Sequence, residues 1–123
     1  MTRIKNTTKL GARVIASVNP RTTSNKVKVG TVVGFGKNTA SVSYTHKSVV
    51  KLAKAVKHEN ILVVPKGFRV LKNPRLNCAA YIPVKNRILM GKVTKITPHQ
   101  VDVHIPSIAT TFKYGKENCI FSK

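Results

Sequence analysis

Few side chains in this 123-residue chain could hold a metal ion or carry out catalysis. Cys78, Cys119, His99 and His104 are of types that bind zinc, but no CxxC or HxxxH spacing relates them. The favoured interpretation is that both cysteines are buried thiols, with a disulfide or a metal site as the alternatives. We therefore expect no metal and no cofactor.

The chain has few side chains for acid–base catalysis, because Glu59, Asp102 and Glu117 are its three carboxylates. Paired-carboxylate catalysis needs two acids in one site. No Ser/His/Asp or Cys/His arrangement stands out, and no P-loop phosphate motif is present. Asp102 and His104 stand two residues apart, as in a strand, and predict a surface pair. These observations predict that the protein is not an enzyme.

The two halves of the chain resemble each other. Residues 30–44 align without a gap on residues 91–105, so that the apolar positions agree while the surface positions differ. A second block, 56–63, aligns on 114–121 and repeats a Glu-Asn pair. Two of the three acids therefore take equivalent places, where a structural role at a turn is favoured over acid–base work. The pattern indicates an internal duplication.

The duplication predicts the domain organisation and the setting of the cysteines. The first unit is expected at residues 1–65, a basic linker at 66–75 and the second unit at 76–123. Cys119 falls where the first copy has an isoleucine, and Cys78 falls near an alanine of that copy, so both take apolar positions. Phe68, Val70 and Leu71 could pack the two units together.

Alternating apolar residues and turn residues predict mostly strands. In the first copy the predicted strands are 13–18, 27–35, 39–44 and 61–64. In the second copy they are 79–84, 87–96, 100–105, 110–114 and 119–121. Gly34-Phe-Gly36 followed by Lys37-Asn38, and Pro98-His99 in the other copy, supply the turns. About five short strands per unit, with a turn before the last, indicate a small antiparallel barrel.

The segment 47–57 is ambiguous. Lysines at 47, 51, 54 and 57 suit one face of an amphipathic helix. Its counterpart in the second copy is rich in β-branched and aromatic residues and predicts a strand. The repeat favours a strand for the later part of this segment, and a helical turn around 48–52 could precede it.

Two stretches resemble a known motif. Residues 27–42, VKVGTVVGFGKNTASV, are similar to the KOW motif, in which a basic approach and a glycine precede the alternating apolar residues of a hairpin. Residues 88–96, ILMGKVTKI, resemble it again. The motif belongs to SH3-like barrels of ribosomal proteins, transcription elongation factors and some phage-encoded DNA-binding proteins. The resemblance implies an all-β chain of two small five-stranded SH3-like (KOW/Tudor-like) barrels in tandem, which bind nucleic acid or ribonucleoprotein without catalysis.

The charge of the chain calls for a partner. The 23 lysines and arginines against three acids give a net charge of +20. Solubility of a small domain needs a net charge of only about 2–8, so an excess of this size favours a polyanion. Lysine outnumbers arginine. Lysine suits phosphates as a flexible point charge, whereas arginine is the better reader of guanine edges. We therefore expect contacts to the phosphate backbone with little sequence preference.

The candidate contact residues are basic side chains in the loops between first and second strands, at a hairpin tip, on outward strand positions, along 51–57 and in the linker. They are Arg21, Lys26, Lys28, Lys37, Lys51, Lys54, Lys57, Arg69, Lys72, Arg75, Lys85, Arg87, Lys92 and Lys95.

The aromatic residues bear on which nucleic acid is bound. Single-strand binders display stacking aromatics on an open sheet face. Phe35, Tyr44 and Phe121 align with aliphatic residues of the other copy, which indicates core packing, and Tyr81 and Tyr114 remain candidates for stacking. This pattern favours a duplex backbone over single strands.

We therefore predict a cytoplasmic, nucleoid-associated protein that binds nucleic acid, with duplex DNA favoured over RNA. Its expected roles are coating or remodelling a genome and modulating transcription. A phage or mobile-element origin would suit it. No apolar run is long enough for a membrane helix, and no secretory signal is present. The alternatives are a ribosomal or other RNA-binding structural protein, and an interaction module in which the barrels bind an acidic protein or mimic DNA-binding partners.

Overall fold

The structure, a computed structural model, describes residues 2–4, 8–18, 26–65, 67–84 and 87–123, with the side chains of Thr2 and Arg3 excepted. Nearly all of its regular secondary structure is β-strand. The first half of the chain contains β1 (Thr2–Arg3), β2 (Arg13–Ser17), β3 (Val27–Gly36), β4 (Thr39–His46), β5 (Val49–Lys57), a 3-10 turn (His58–Asn60) and β6 (Ile61–Val63). The second half contains β7 (Val70–Leu71), β8 (Ala79–Val84), β9 (Arg87–Ile96), β10 (Gln100–Ile105), a 3-10 turn (Pro106–Ile108), β11 (Thr110–Gly115), a 3-10 turn (Lys116–Asn118) and β12 (Ile120–Ser122).

These strands form two antiparallel sheets, ordered β1-β6-β2-β3-β4-β5 and β11-β10-β9-β8-β12-β7. In each sheet the last strand of the half returns beside its first long strand, as β6 does beside β2 and β12 beside β8. Side chains from both ends of the first sheet, such as Val56 on β5 and Ile61 on β6, belong to one buried cluster. The sheet must therefore curl around its core. The all-β prediction with two tandem barrels is confirmed.

Each sheet has one strand more than the five expected. The additional strands are the two-residue β1 and β7, and each pairs with the last strand of its sheet. Strand β7 belongs to the segment expected as a linker, and through it Leu71 packs against the second core, whereas Val70 is exposed.

The sheets repeat each other in detail. The pairing of β3 with β4 shifts register at Val33, and the pairing of β9 with β10 shifts at Thr94, which is the equivalent residue of the second copy. The repeated Glu-Asn pairs both lie in 3-10 turns directly before the last strand of the sheet. Of the described side chains, Asn60 and Asn118 share a further trait, an amide oxygen that is buried without a hydrogen-bond partner. These correspondences support the duplication.

The segment 47–57 is not helical. Lys47 and Ser48 form a two-residue turn with φ values of 51° and 64°, as in type I′ hairpins, and β5 follows at once. The expected helical turn around 48–52 is therefore wrong. A bulge opposite β4, with Ala55 at φ 54°, places Ala53 and Val56 in the core three residues apart. This spacing produces the helix-like pattern in the sequence.

The two units pack against each other through a third buried cluster. It includes Ile15 of β2, Val27 of β3 and Val64, together with Tyr81 of β8 and Ile88 of β9. Leu62, Ile120 and Phe68 lie against it, so that the expected role of Phe68 between the units is observed. Ile15 and Tyr81, Val27 and Ile88, and Leu62 and Ile120 are equivalent positions of the two repeats. The units thus bury corresponding parts of their outer sheet faces, which points to a pseudo-twofold relation between them.

Candidate nucleic-acid interface

A basic face covers the exposed strands of the second unit. In the pairing of β9, β10 and β11, Lys95 and Lys113 flank Asp102, while Lys92 and Thr111 flank His104. Directly paired residues share one side of a sheet. The bulge at Thr94 brings Lys92 and Lys95 to the same side although they are three residues apart. We call Lys92, Lys95 and Lys113, which are all exposed, the basic face.

The acid and the histidine on this face have separate neighbours. Asp102 lies between two lysines of the neighbouring strands, so it offsets part of their charge. The Nδ1 atom of His104 lies 3.1 Å from the Oγ1 atom of Thr111. The predicted surface pair of Asp102 and His104 therefore lies within a larger group of polar residues, which retains a net positive charge.

A second cluster of cations lies at one end of the first unit. Its members are the backbone-anchored Lys26 and Lys28 at the start of β3, His46 at the end of β4, Lys47 in the following turn and Lys51 on β5. We call this group the basic mouth. The Lys26 carbonyl accepts a hydrogen bond from the Val18 amide, and Lys28 pairs with Ala16 of β2.

Strand pairing brings the mouth residues together. Gly30 lies opposite Tyr44, and Tyr44 lies opposite Lys51. Lys28 is two residues before Gly30 and His46 is two residues after Tyr44, while Lys51 is itself paired with Tyr44. Their side chains therefore lie on the same side of the sheet as the core, at the end of the barrel where the core stops.

The basic groups of the mouth affect each other's protonation. Loss of hydration lowers the pKa of His46, and Lys28, Lys26, Lys51 and Lys47 lower it further. Partial burial and then Lys26 lower the pKa of Lys28, and Glu117 of the second unit opposes them. The mouth is therefore a place where like charges are held close together.

The other predicted contact residues are dispersed. Lys37 lies in the β3–β4 turn. This turn, Lys54 and Lys57 are at the end of the first unit that is far from the mouth. The expected stripe along 51–57 is thus divided by the bulge of β5. Arg69, Lys72, Arg75 and Arg87 are exposed at the second unit. Arg21 and Lys85 lie outside the described residues.

Sequence reasoning missed three members of the two clusters, His46, Lys47 and Lys113. Lys113 could have been found, because the predicted strands 100–105 and 110–114 must pair and would place it near Asp102. His46 and Lys47 depend on the two-residue turn after β4, which the helical pattern of the following residues conceals.

The two units carry their charge in different places. The repeat alignment places Leu89 of the second unit at the position of Lys28. Strand pairing places Thr110 at the position of Lys51. The first unit has Thr31 at the position that Lys92 takes in the basic face. On the same side of that unit, Val33 and Leu52 are 49% and 50% exposed. The positions of the clustered charges are therefore not shared by the two copies.

The cysteines and the candidate stacking residues are part of the packing. Cys78 and Cys119 are free thiols in the second core, and burial raises the pKa of Cys119 to about 12. Tyr81 packs edge-on against Phe68 with ring centroids 5.9 Å apart, and the hydroxyl of Tyr114 donates to the Pro83 carbonyl at 2.7 Å. Neither ring is free for stacking. The expected core position of Phe35 is wrong, because its side chain is 38% exposed on β3. Within the described ranges, no three His, Cys, Asp or Glu side chains are grouped as a metal site requires.

An open cavity of about 510 Å³ lies between residues 65–69 and the second sheet. Phe68, Tyr81 and Met90 contribute its apolar walls, and Arg69 and Lys123 its charged groups. None of the helices in the described ranges is long and apolar enough to cross a membrane.

Comparison with known proteins finds no matching family model and no similar curated protein. Solved structures do match. The chain is similar to the tandem Agenet domains 3–4 of ADCP1, with a TM-score of 0.43 and 11% identity over 92% of this chain and 79% of that one. It is also similar to AGD34 of Arabidopsis thaliana AGDP1, with a TM-score of 0.44 and 12% identity over 92% of this chain and 81% of that one.

Proposed function

We propose that this protein binds nucleic acid through lysine–phosphate contacts, with duplex DNA favoured, with little sequence preference and without catalysing a reaction. One observation carries the proposal: lysines are gathered into a basic face and a basic mouth on two different units. Coating or remodelling a genome or nucleoid, or modulating transcription, would use such binding.

Charge clustering has a physical cost that a polyanion removes. Like charges at short range repel each other and destabilise the compact state. Lys92, Lys95 and Lys113 share their face with a single carboxylate, Asp102. A nucleic-acid backbone supplies the missing negative charge, and the release of its condensed counterions adds to the affinity.

The setting of the aromatic residues favours a duplex over single strands. Sequence-tolerant binding of single strands uses exposed aromatic rings on which bases stack. Tyr81 and Tyr114 are occupied by packing and by a hydrogen bond, and Phe121 is 4% exposed. Phe35 on β3, at 38% exposed, is the exception among these rings. Flexible lysines above a sheet can follow a regular row of phosphates without contacting bases.

Titration in increasing salt tests this proposal. Fluorescence anisotropy would follow binding to duplex DNA, double-stranded RNA and single-stranded DNA of matched length. If about 6–10 phosphates are contacted, affinity for the duplex should fall by about 10³–10⁵ between 50 and 200 mM salt. An affinity that does not depend on salt would refute the electrostatic mechanism, and stronger binding of RNA would overturn the preference for DNA.

A charge-matched pair of variants tests the basic face. Replacing Lys92, Lys95 and Lys113 by Gln should reduce the salt slope by about 3 and weaken binding equally for unrelated sequences. The control replaces by Gln the residues Lys9, Lys116 and Lys123, which are not among the predicted contact residues and belong to neither the basic face nor the basic mouth, and removes the same charge. Equal losses in both variants would show that net charge alone, and not the face, governs binding.

A further inference from the structure

The basic mouth differs from ordinary surface lysines because the fold holds its members close together. Five basic groups converge there from the start of β3, the end of β4, the turn and β5. Each of the four lysines is near enough to affect the protonation of His46. An isolated surface lysine would move away from its neighbours, but these are attached to paired strands and to a two-residue turn.

The barrel does not require this arrangement. The second unit builds the same strands with Leu89 in place of Lys28 and Thr110 in place of Lys51. A neutral end is therefore compatible with the fold, and the first unit carries a repulsion that its own architecture does not need. Groups that cost stability and are not needed for packing are candidates for binding.

Lys28 is already partly desolvated in the free protein. Its pKa is lowered by partial burial and by Lys26, and the opposing charge is Glu117 at the 3-10 turn of the other unit. Part of the cost of placing an ammonium group against protein has thus been met during folding. A ligand that restores negative charge gains from this preorganisation.

We propose that the basic mouth is a phosphate-binding site, which receives a backbone or terminal phosphate of a nucleic acid. In this form the inference rests on the proposed function and deepens it. A phosphate group fits the mouth because its anionic oxygens can accept hydrogen bonds from several ammonium groups at once, three of them on a terminal phosphate and two on each backbone phosphodiester. The chain would then hold nucleic acid at two non-equivalent places, the face of one unit and the mouth of the other.

Protonation of His46 is coupled to this site. In the free protein the charges around His46 are Lys26 and Lys28 from β3, Lys47 from the turn and Lys51 from β5, and all favour the neutral ring. A bound phosphate favours the imidazolium ion instead. Binding therefore takes up a proton, and affinity should rise as pH falls from 7.5 toward 5.5.

The histidine rings allow the test to be made in one spectrum. Proton–carbon NMR of the rings would follow His46 in the mouth and His104 on the basic face as separate reporters. Two probes are used at constant ionic strength, with chloride as reference. One is sulfate, which has the shape of phosphate and keeps its charge over this pH range, and the other is a short DNA duplex, whose phosphodiesters do not titrate there.

The expected result is an upward shift of the His46 pKa with either probe and a several-fold tighter sulfate affinity at pH 5.5 than at 7.5. The variants Lys28→Gln and Lys51→Gln should each lose these effects while the duplex still shifts His104. Backbone amide spectra of each variant establish that it is folded.

The outcomes separate the two proposals. If the duplex binds and shifts His104 but leaves His46 unchanged, the mouth is not a phosphate site and the proposed function stands. If sulfate raises the His46 pKa but no nucleic acid binds, the site stands and nucleic acid is the wrong source of its phosphate. A response of His46 that survives both lysine variants would overturn the assignment to the mouth.

Discussion

Gly30 and Gly91 occupy the same place in the two units, because at each a side chain would collide with the strand that follows. A Cβ atom on Gly30 would lie 2.5 Å from the Ser43 carbonyl oxygen and 2.6 Å from Cγ1 of Val42. A Cβ atom on Gly91 would collide with the His104 carbonyl oxygen and lie 2.8 Å from Cγ1 of Val103. The two strands thus approach each other at the same point in both copies.

Substitution at either glycine should therefore destabilise the protein. Gly30→Ala or Gly91→Ala forces the backbone of the next strand to move, and overpacking of this kind typically costs about 1–3 kcal/mol. The control is Gly34→Ala on the same strand as Gly30, because a Cβ atom there meets nothing within 4 Å. Urea unfolding followed by circular dichroism measures the difference. A cost for Gly34→Ala equal to that for Gly30→Ala would contradict the steric explanation.

The contact between the units should make them unfold together. Ile15 is fully buried in the cluster that also holds Tyr81, and truncation of a buried isoleucine typically costs about 2–5 kcal/mol. We expect Ile15→Ala to lower the unfolding midpoint of both units in a single calorimetric transition. Leu52→Ala, at a half-exposed position of the same sheet, is the control and should have a small effect.

Limited proteolysis gives an independent measure of the same contact. The segment 66–75 connects the two units and contains lysines and arginines, at which trypsin can cleave. If the units pack as observed, cleavage there should become rapid in Ile15→Ala but not in the unchanged chain. Rapid cleavage of the unchanged chain, or two separate unfolding transitions, would indicate independent units.

The thiol of Cys119 should be unreactive while the protein is folded. Its pKa is raised to about 12 by burial, so hardly any thiolate is present at pH 8. In a Cys78→Ala background, Ellman's reagent should react with Cys119 slowly in buffer and rapidly in urea. The rate in buffer should follow the fraction of unfolded protein. Fast labelling in the absence of urea would contradict the buried position.

The sequence predicted the strands correctly where apolar and polar residues alternate without interruption. Alternation gave the bounds of β4 and β10 closely, and Lys37-Asn38 and Pro98-His99 do connect the strands around them. Prediction failed at β5, because Ala55 adopts a left-handed conformation and interrupts the alternation. A bulge is fixed by pairing with β4, and a local pattern contains no information about that partner.

The candidate site was predictable in kind but not in arrangement. Composition alone indicated a polyanionic ligand, and Lys92 and Lys95 do face outward together. His46 and Lys28 could not be brought together from their spacing, since 18 positions separate them in the chain. Their approach depends on the pairing of β3 with β4, which continues toward both residues from Gly30 and Tyr44.

The sequence by itself determined the charge, the duplication and most of the strands, because these follow from residue type and from self-similarity along the chain. The tertiary structure decided which cations become neighbours and which halves of the two sheets are covered. Strand pairing joins distant residues, and the cluster that holds both Ile15 and Tyr81 covers part of the outer face of each sheet. The reason is that proximity in space is set by long-range pairing and packing, which residue order alone does not specify.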